Sequence, residues 1–124
     1  MTKHTVRLYG IPNCDTVKKS RQWFADHGIE VQFHDFKKQG LETATMAEWA
    51  QALGVEVLLN RKGTTWRQFS DSEQAMAATA NGAQALMLAH TSSIKRPVVQ
   101  WGGQTPRWTV GFVPEQWQVW LAEG

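Results

Sequence analysis

The chain has 124 residues, the size of one domain, and its 13 Lys plus Arg against 11 Asp plus Glu leave a net charge of +2, too small to point to a nucleic-acid or membrane surface. Its single cysteine, Cys14, excludes an intrachain disulfide and a cysteine-rich metal cage. No apolar run approaches the ~18–20 residues of a bilayer span, and the start Met1-Thr2-Lys3-His4-Thr5 lacks the apolar stretch of a secretory signal, so a cytoplasmic protein is expected.

Val6-Arg7-Leu8-Tyr9 alternates and predicts a strand, broken by the turn chemistry of Gly10-Ile11-Pro12-Asn13. A helix follows. Asn13 or Asp15 is placed to accept from its first amides, Val17, Trp23 and Phe24 make its apolar face, and Gly28 stops it. Ile29, Val31 and Phe33 then alternate with polar residues, predicting a second strand through Asp35 or Phe36. The three elements form a βαβ unit, whose strands run parallel through a right-handed crossover.

Residues from about Lys37 to His90 read as helical. Thr45-Met46-Ala47-Glu48 has capping-box spacing, Met46, Trp49, Ala50 and Leu53 share a face, and Gly54 ends that helix. Ser70-Asp71-Ser72-Glu73 is a second capping-box candidate, and Asn81-Gly82 is expected to separate its helix from one carrying Ala83, Leu86, Met87 and His90 on one face. Between them, Asn60 to Arg67 reads as a polar basic loop, without the glycine placement of a phosphate-binding loop.

After Thr91-Ser92-Ser93, Val98–Trp101 and Arg107–Gly111 flank the turn residues Gly102 to Pro106 and predict a β-hairpin. Pro114 suits a first helical position, and Trp117, Trp120 and Leu121 give a short closing helix. The expectation is one α/β domain over 1–124: sheet-forming parts at about 1–36 and 92–124, and a helical insertion at about 37–91. The seven tryptophans are read as packing residues, and His4, His27, His34 and His90 lack metal-ligand spacing, so no metal site is expected.

Cys14 falls at the predicted amino end of the first helix, where unpaired amides and the helix dipole favour a thiolate. Position alone leaves a nucleophile and a small packing cysteine equally open. Lys18 and Lys19 add positive charge, although on a helix they read first as a solvated face.

The element order, with Leu8-Tyr9-Gly10-Ile11-Pro12-Asn13-Cys14-Asp15-Thr16, His34-Asp35-Phe36-Lys37-Lys38, Leu59 to Arg67 and Ile94-Lys95-Arg96-Pro97, resembles the arsenate reductase and Spx-type family over nearly the whole chain. The nearest likeness is to its bacterial single-cysteine branch of glutathione-dependent thiol reductases. The resemblance implies a thioredoxin-like mixed sheet with an inserted helical subdomain. It also implies that Cys14 is the nucleophile with Thr16 in its loop, that Arg96 precedes a cis Pro97, and that Arg67, or Arg61 if the loop carries a gap, binds an anion. Asn13, Arg61, Arg67, Arg96 and Pro97 are then substrate-binding candidates, and Cys14, Thr16 and Arg96 catalytic ones. Guanidinium groups suit such a role because they offer paired donors to a carboxylate or oxyanion.

Three departures from the resemblance matter. Arsenate reductases carry a histidine where this chain has Gly10, a serine where it has Val17, and a further arginine near Phe112-Val113. These weigh against arsenate reduction, and Val17 also removes the second cysteine of an Spx-type switch. The leading expectation is a thiol–disulfide oxidoreductase that passes through a mixed disulfide with glutathione as co-substrate and holds no tightly bound cofactor. Its partners would be glutathione, a small oxidised or anionic substrate and glutaredoxin, with no nucleic acid or membrane. The alternatives are arsenate reduction with glutathione and glutaredoxin, and a non-catalytic Spx-like regulator that binds RNA polymerase.

Overall fold

The computed structural model describes residues 5–123. The expectations that touch residues 1–4, His4 among them, lie outside the described residues. In chain order the elements are β1 (Val6–Gly10), α1 (Asp15–Asp26), β2 (Val31–Asp35), α2 (Phe36–Gln39), α3 (Thr43–Leu53), α4 (Val55–Leu58), α5 (Thr64–Gln68), α6 (Asp71–Met76), α7 (Ala80–Ala89), a 3-10 turn (Thr91–Ser93), β3 (Val98–Trp101), β4 (Arg107–Val110) and α8 (Pro114–Ala122). They fall into two compact units, one from the chain up to Asp35 together with Arg96 onward, the other spanning Phe36–Lys95.

The first unit holds a four-stranded mixed sheet in the order β2-β1-β3-β4, with β1 parallel to β2 and the other pairs antiparallel. This is the thioredoxin-like arrangement. Alternation along β1 buries Val6 and Leu8 and leaves Arg7 exposed, and the register sets Leu8 between Phe33 and Val99. Val6, Leu8, Val17, Phe24, Val99, Trp101 and Trp117 close one core, in which each fully buried Val, Leu or Phe contributes roughly 1.5–3 kcal/mol relative to exposure. The hairpin forms as expected, and Pro114 is the first residue of α8.

Several local expectations are corrected. Gly10, read as turn chemistry, is the last residue of β1 and pairs with Asp35. Neither Asn13 nor Asp15 caps α1; the N-cap residue is Cys14 itself. Ser20 joins Val17 and Phe24 on the buried face of α1, whereas Trp23 packs against the core as expected, half-buried, and stacks on His27 with ring centroids 3.9 Å apart. β2 starts at Val31, not Ile29, because the Ile29 amide is used in closing α1, donating to the Phe24 carbonyl at 2.9 Å. Gly28 follows the helix at φ +69, the left-handed backbone that favours glycine.

The second unit is helical, with Phe36, Met46, Trp49, Leu58, Leu59, Leu86, Met87 and Ile94 buried. The Ser70 capping box is formed: the Ser70 amide donates to Glu73 Oε1 at 2.9 Å and the Glu73 amide to Ser70 Oγ at 3.2 Å. The other box is not, since α3 starts at Thr43 after Glu42 and makes no side-chain cap there. Asn81-Gly82 lies inside α7, whose cap is Thr79, accepting from the Gly82 amide at 3.0 Å. The segment read as a basic loop contains α5, because Asn60 Oδ1 accepts from the Lys62 amide at 3.2 Å and turns the chain into it. None of the seven tryptophans is exposed, in agreement with their reading as packing residues.

Candidate active site

The site is built at the carboxyl end of β1. The strand delivers the chain through a turn at Pro12 and Asn13 to Cys14, whose extended backbone (φ −115, ψ 123) is that of an N-cap residue. Its carbonyl accepts the first helical bond, from the Lys18 amide at 2.9 Å. The side chain is therefore held where the free amides of the first turn of α1 point. Cys14 is half-buried and Asn13 is exposed beside it in the chain.

Burial by itself raises the pKa of the Cys14 thiol. It is outweighed by the Val17 amide, by the hydrogen bond and the charge of the Arg96 guanidinium, and by the Thr16 amide, so the pKa lies below the ordinary thiol value. The amides do not make a formed capping bond to the sulfur. They act on it as dipoles at a helix start.

Arg96 comes from the far end of the chain, and the peptide between it and Pro97 is cis. The Pro97 carbonyl accepts from the Gly111 amide at 2.8 Å, which fastens the segment before β3 to the end of β4. Thus Cys14, Thr16 and Arg96 are brought together in the sheet unit. Arg61 and Arg67 belong to the helical unit. Arg61 donates to Glu56 at 3.3 Å and lies over the Trp66 ring, while Arg67 donates to the Lys62 carbonyl at 2.8 Å. Among the described residues no group of His, Cys, Asp and Glu is placed to hold a metal ion.

Sequence reasoning missed the place of Val17 in the site. It was read as part of the apolar face of the first helix and as a departure, yet its amide also faces the Cys14 sulfur and its buried side chain lies against Gly10, where an added Cβ would come within 2.7 Å of Val17 Cγ2. The two departures from the arsenate reductase pattern on either side of the cysteine therefore touch each other. A glycine inside a strand often marks such a close approach, and that was the available signal.

A thioredoxin-like sheet with a thiolate-favouring cysteine capping its first helix defines an arsenate reductase-like protein. The ArsC family model matches residues 9–120, and the chain belongs to that family. Among solved structures, the YFFB protein is 40% identical with a TM-score of 0.86, covering 93% of this chain and 97% of that one. An arsenate reductase-related protein from Brucella melitensis is 42% identical with a TM-score of 0.72, covering 94% of each chain. An uncharacterised protein of Haemophilus influenzae is 34% identical over 113 residues, 91% of this chain and 96% of its own. These likenesses agree with the resemblance to the single-cysteine branch.

Proposed function

We propose that the protein is a glutathione-dependent thiol reductase of the cytoplasm, with Cys14 as its nucleophile. The observation that carries this reading is the Arg96 guanidinium beside a half-buried sulfur at the start of α1, an arrangement that favours the thiolate. On a substrate RS–SG, the Cys14 thiolate attacks the glutathione sulfur. A Cys14–glutathione disulfide forms, the RS–SG bond breaks, and RS⁻ leaves to take a proton from solvent. A second glutathione thiolate then attacks that disulfide, releasing GSSG and regenerating the Cys14 thiolate. The sum is RS–SG plus GSH giving RSH plus GSSG. With one cysteine in the chain, the resolving thiol comes from outside.

Arg96 has two roles in this scheme. It stabilises the charged sulfur before attack, and its donors suit a glutathione carboxylate or the charge developing on sulfur. No tightly bound cofactor is required, and glutaredoxin is the protein partner the scheme admits.

The test is turnover of a glutathionylated peptide with excess glutathione, followed as GSSG, with the mixed disulfide sought by intact mass. Wild-type protein should turn over through a Cys14 adduct, and Cys14→Ser should form none. A Cys14→Ser variant that retains the full rate would overturn the reading. Turnover seen only when arsenate is the substrate would instead assign arsenate reduction.

A further inference from the structure

We propose that Gly10 and Val17 form a positioning pair: the Val17 side chain, seated against the bare Cα of Gly10, fixes the first turn of α1 on the end of β1 and so aims the Thr16 and Val17 amides at the Cys14 sulfur. The inference deepens the proposed thiol chemistry and rests on Cys14 being the nucleophile.

Gly10 does not carry a positive φ, so its backbone conformation does not call for glycine. Space does. An ideal Cβ at Gly10 would stand 2.7 Å from Val17 Cγ2, nearer than side chains approach one another. Neither partner can move away easily. Gly10 is held in the sheet by its pairing with Asp35, and Val17 is fully buried in the core. A β-branched side chain in a helix has one strongly preferred rotamer, so Val17 cannot swing aside without moving its own backbone.

That backbone carries the amide which faces the sulfur. On the other side of the same turn, Ser20 Oγ donates to the Thr16 carbonyl at 2.7 Å and fixes the peptide that follows Thr16. The turn is thus gripped by Ser20 within the helix and by Gly10 from the strand. Partial charges stabilise an ion most when they are aimed before it forms, and the grip supplies that preorganisation.

The pair is tested by iodoacetamide alkylation of Cys14 against pH in Gly10→Ala, Val17→Ala and the double variant. Gly10→Ala should move the alkylation midpoint to higher pH and slow the reaction at pH 7 by about three- to tenfold, since only the thiolate reacts. Val17→Ala, which leaves a gap where the turn was held, should move it the same way. The double variant should recover most of the wild-type profile, because a Cβ added at position 10 would lie 3.7 Å from the Cβ of residue 17, an ordinary contact. A wild-type profile in folded Gly10→Ala, or a double variant no better than the singles, would overturn the proposal. If Gly10→Ala shows no cooperative unfolding transition, Val17→Ala decides alone, and an unshifted profile counts against the pair. Alkylation uses no glutathione, so the two readings fail separately. Shifted profiles without glutathione turnover would retire the reductase and leave the pair, and turnover with unshifted profiles would do the reverse.

Discussion

The Arg96 guanidinium stands against the Cys14 sulfur, hydrogen-bonding to it and lending its charge, although the two residues come from opposite ends of the chain. Burial of the sulfur acts in the other direction. Arg96→Ala should therefore leave burial less opposed and move the pH midpoint of Cys14 alkylation upward, with a rate at pH 7 lower by about three- to tenfold. Arg96→Lys keeps the charge but loses the planar fork of donors, so its rate should fall between the two. An Arg96→Ala profile that overlays the wild type would show that the guanidinium does not tune the thiol.

The same depressed pKa makes the thiol a source of pH-dependent stability. The folded chain releases the Cys14 proton at lower pH than the unfolded chain, whose cysteine titrates near about 8.5. Between those two values the unfolded state binds more protons, so stability rises with pH. The contribution is complete above the unfolded value and is lost as pH falls through the folded one. Cys14→Ser does not titrate in this range. The difference in urea-unfolding free energy between wild type and Cys14→Ser, measured with reductant present, should grow with rising pH over the window below about 9. A difference constant across that window would contradict a lowered thiol pKa.

Trp117 Nε1 donates to Thr109 Oγ1 at 2.9 Å, and both residues are buried. The bond fastens α8 to β4, and the large indole gives the core much of its apolar filling. Thr109→Val keeps the shape but removes the acceptor, leaving a buried N–H without a partner at a cost of about 1–3 kcal/mol. Thr109→Ser keeps the acceptor and removes one methyl, which costs about 0.8 kcal/mol. Urea unfolding should rank wild type, Thr109→Ser and Thr109→Val in that order of falling stability. A Thr109→Val variant as stable as wild type, with Thr109→Ser below it, would mean that the methyl, not the hydroxyl, matters.

The sheet unit was legible in the sequence because its signals are local and repeated. Val6 to Tyr9 alternates, Gly28 stops α1 with a left-handed backbone, and Gly102 to Pro106 separates two short strands. The position of Cys14 was legible as well, since it falls between a strand and a helix. What could not be read were contacts set by space between distant residues. Gly10 has the composition of a turn, but it is a strand residue kept small by Val17. Asn81-Gly82 has the composition of a break, but tertiary packing places it inside α7. In both cases glycine serves close approach, which a one-dimensional pattern does not separate from conformational freedom.

Gly82 is the sharper case, because helix propensity and packing predict opposite signs. It is the third residue of α7 and lacks a positive φ, so alanine fits its backbone and would favour the helix by about 1 kcal/mol. A Cβ there, however, would overlap the backbone carbonyl of Met76, the last residue of α6, and would stand 2.9 Å from Thr79 Oγ1, the cap of α7. A backbone carbonyl cannot turn aside as a side chain can, so the α6–α7 junction must open and the Thr79 cap must loosen. Thr79→Ala removes the cap alone and should cost about 1 kcal/mol. Gly82→Ala should cost more, about 2–3 kcal/mol, as overpacking does. A Gly82→Ala variant as stable as wild type in thermal and urea unfolding would mean that propensity outweighs the contact and that the junction yields.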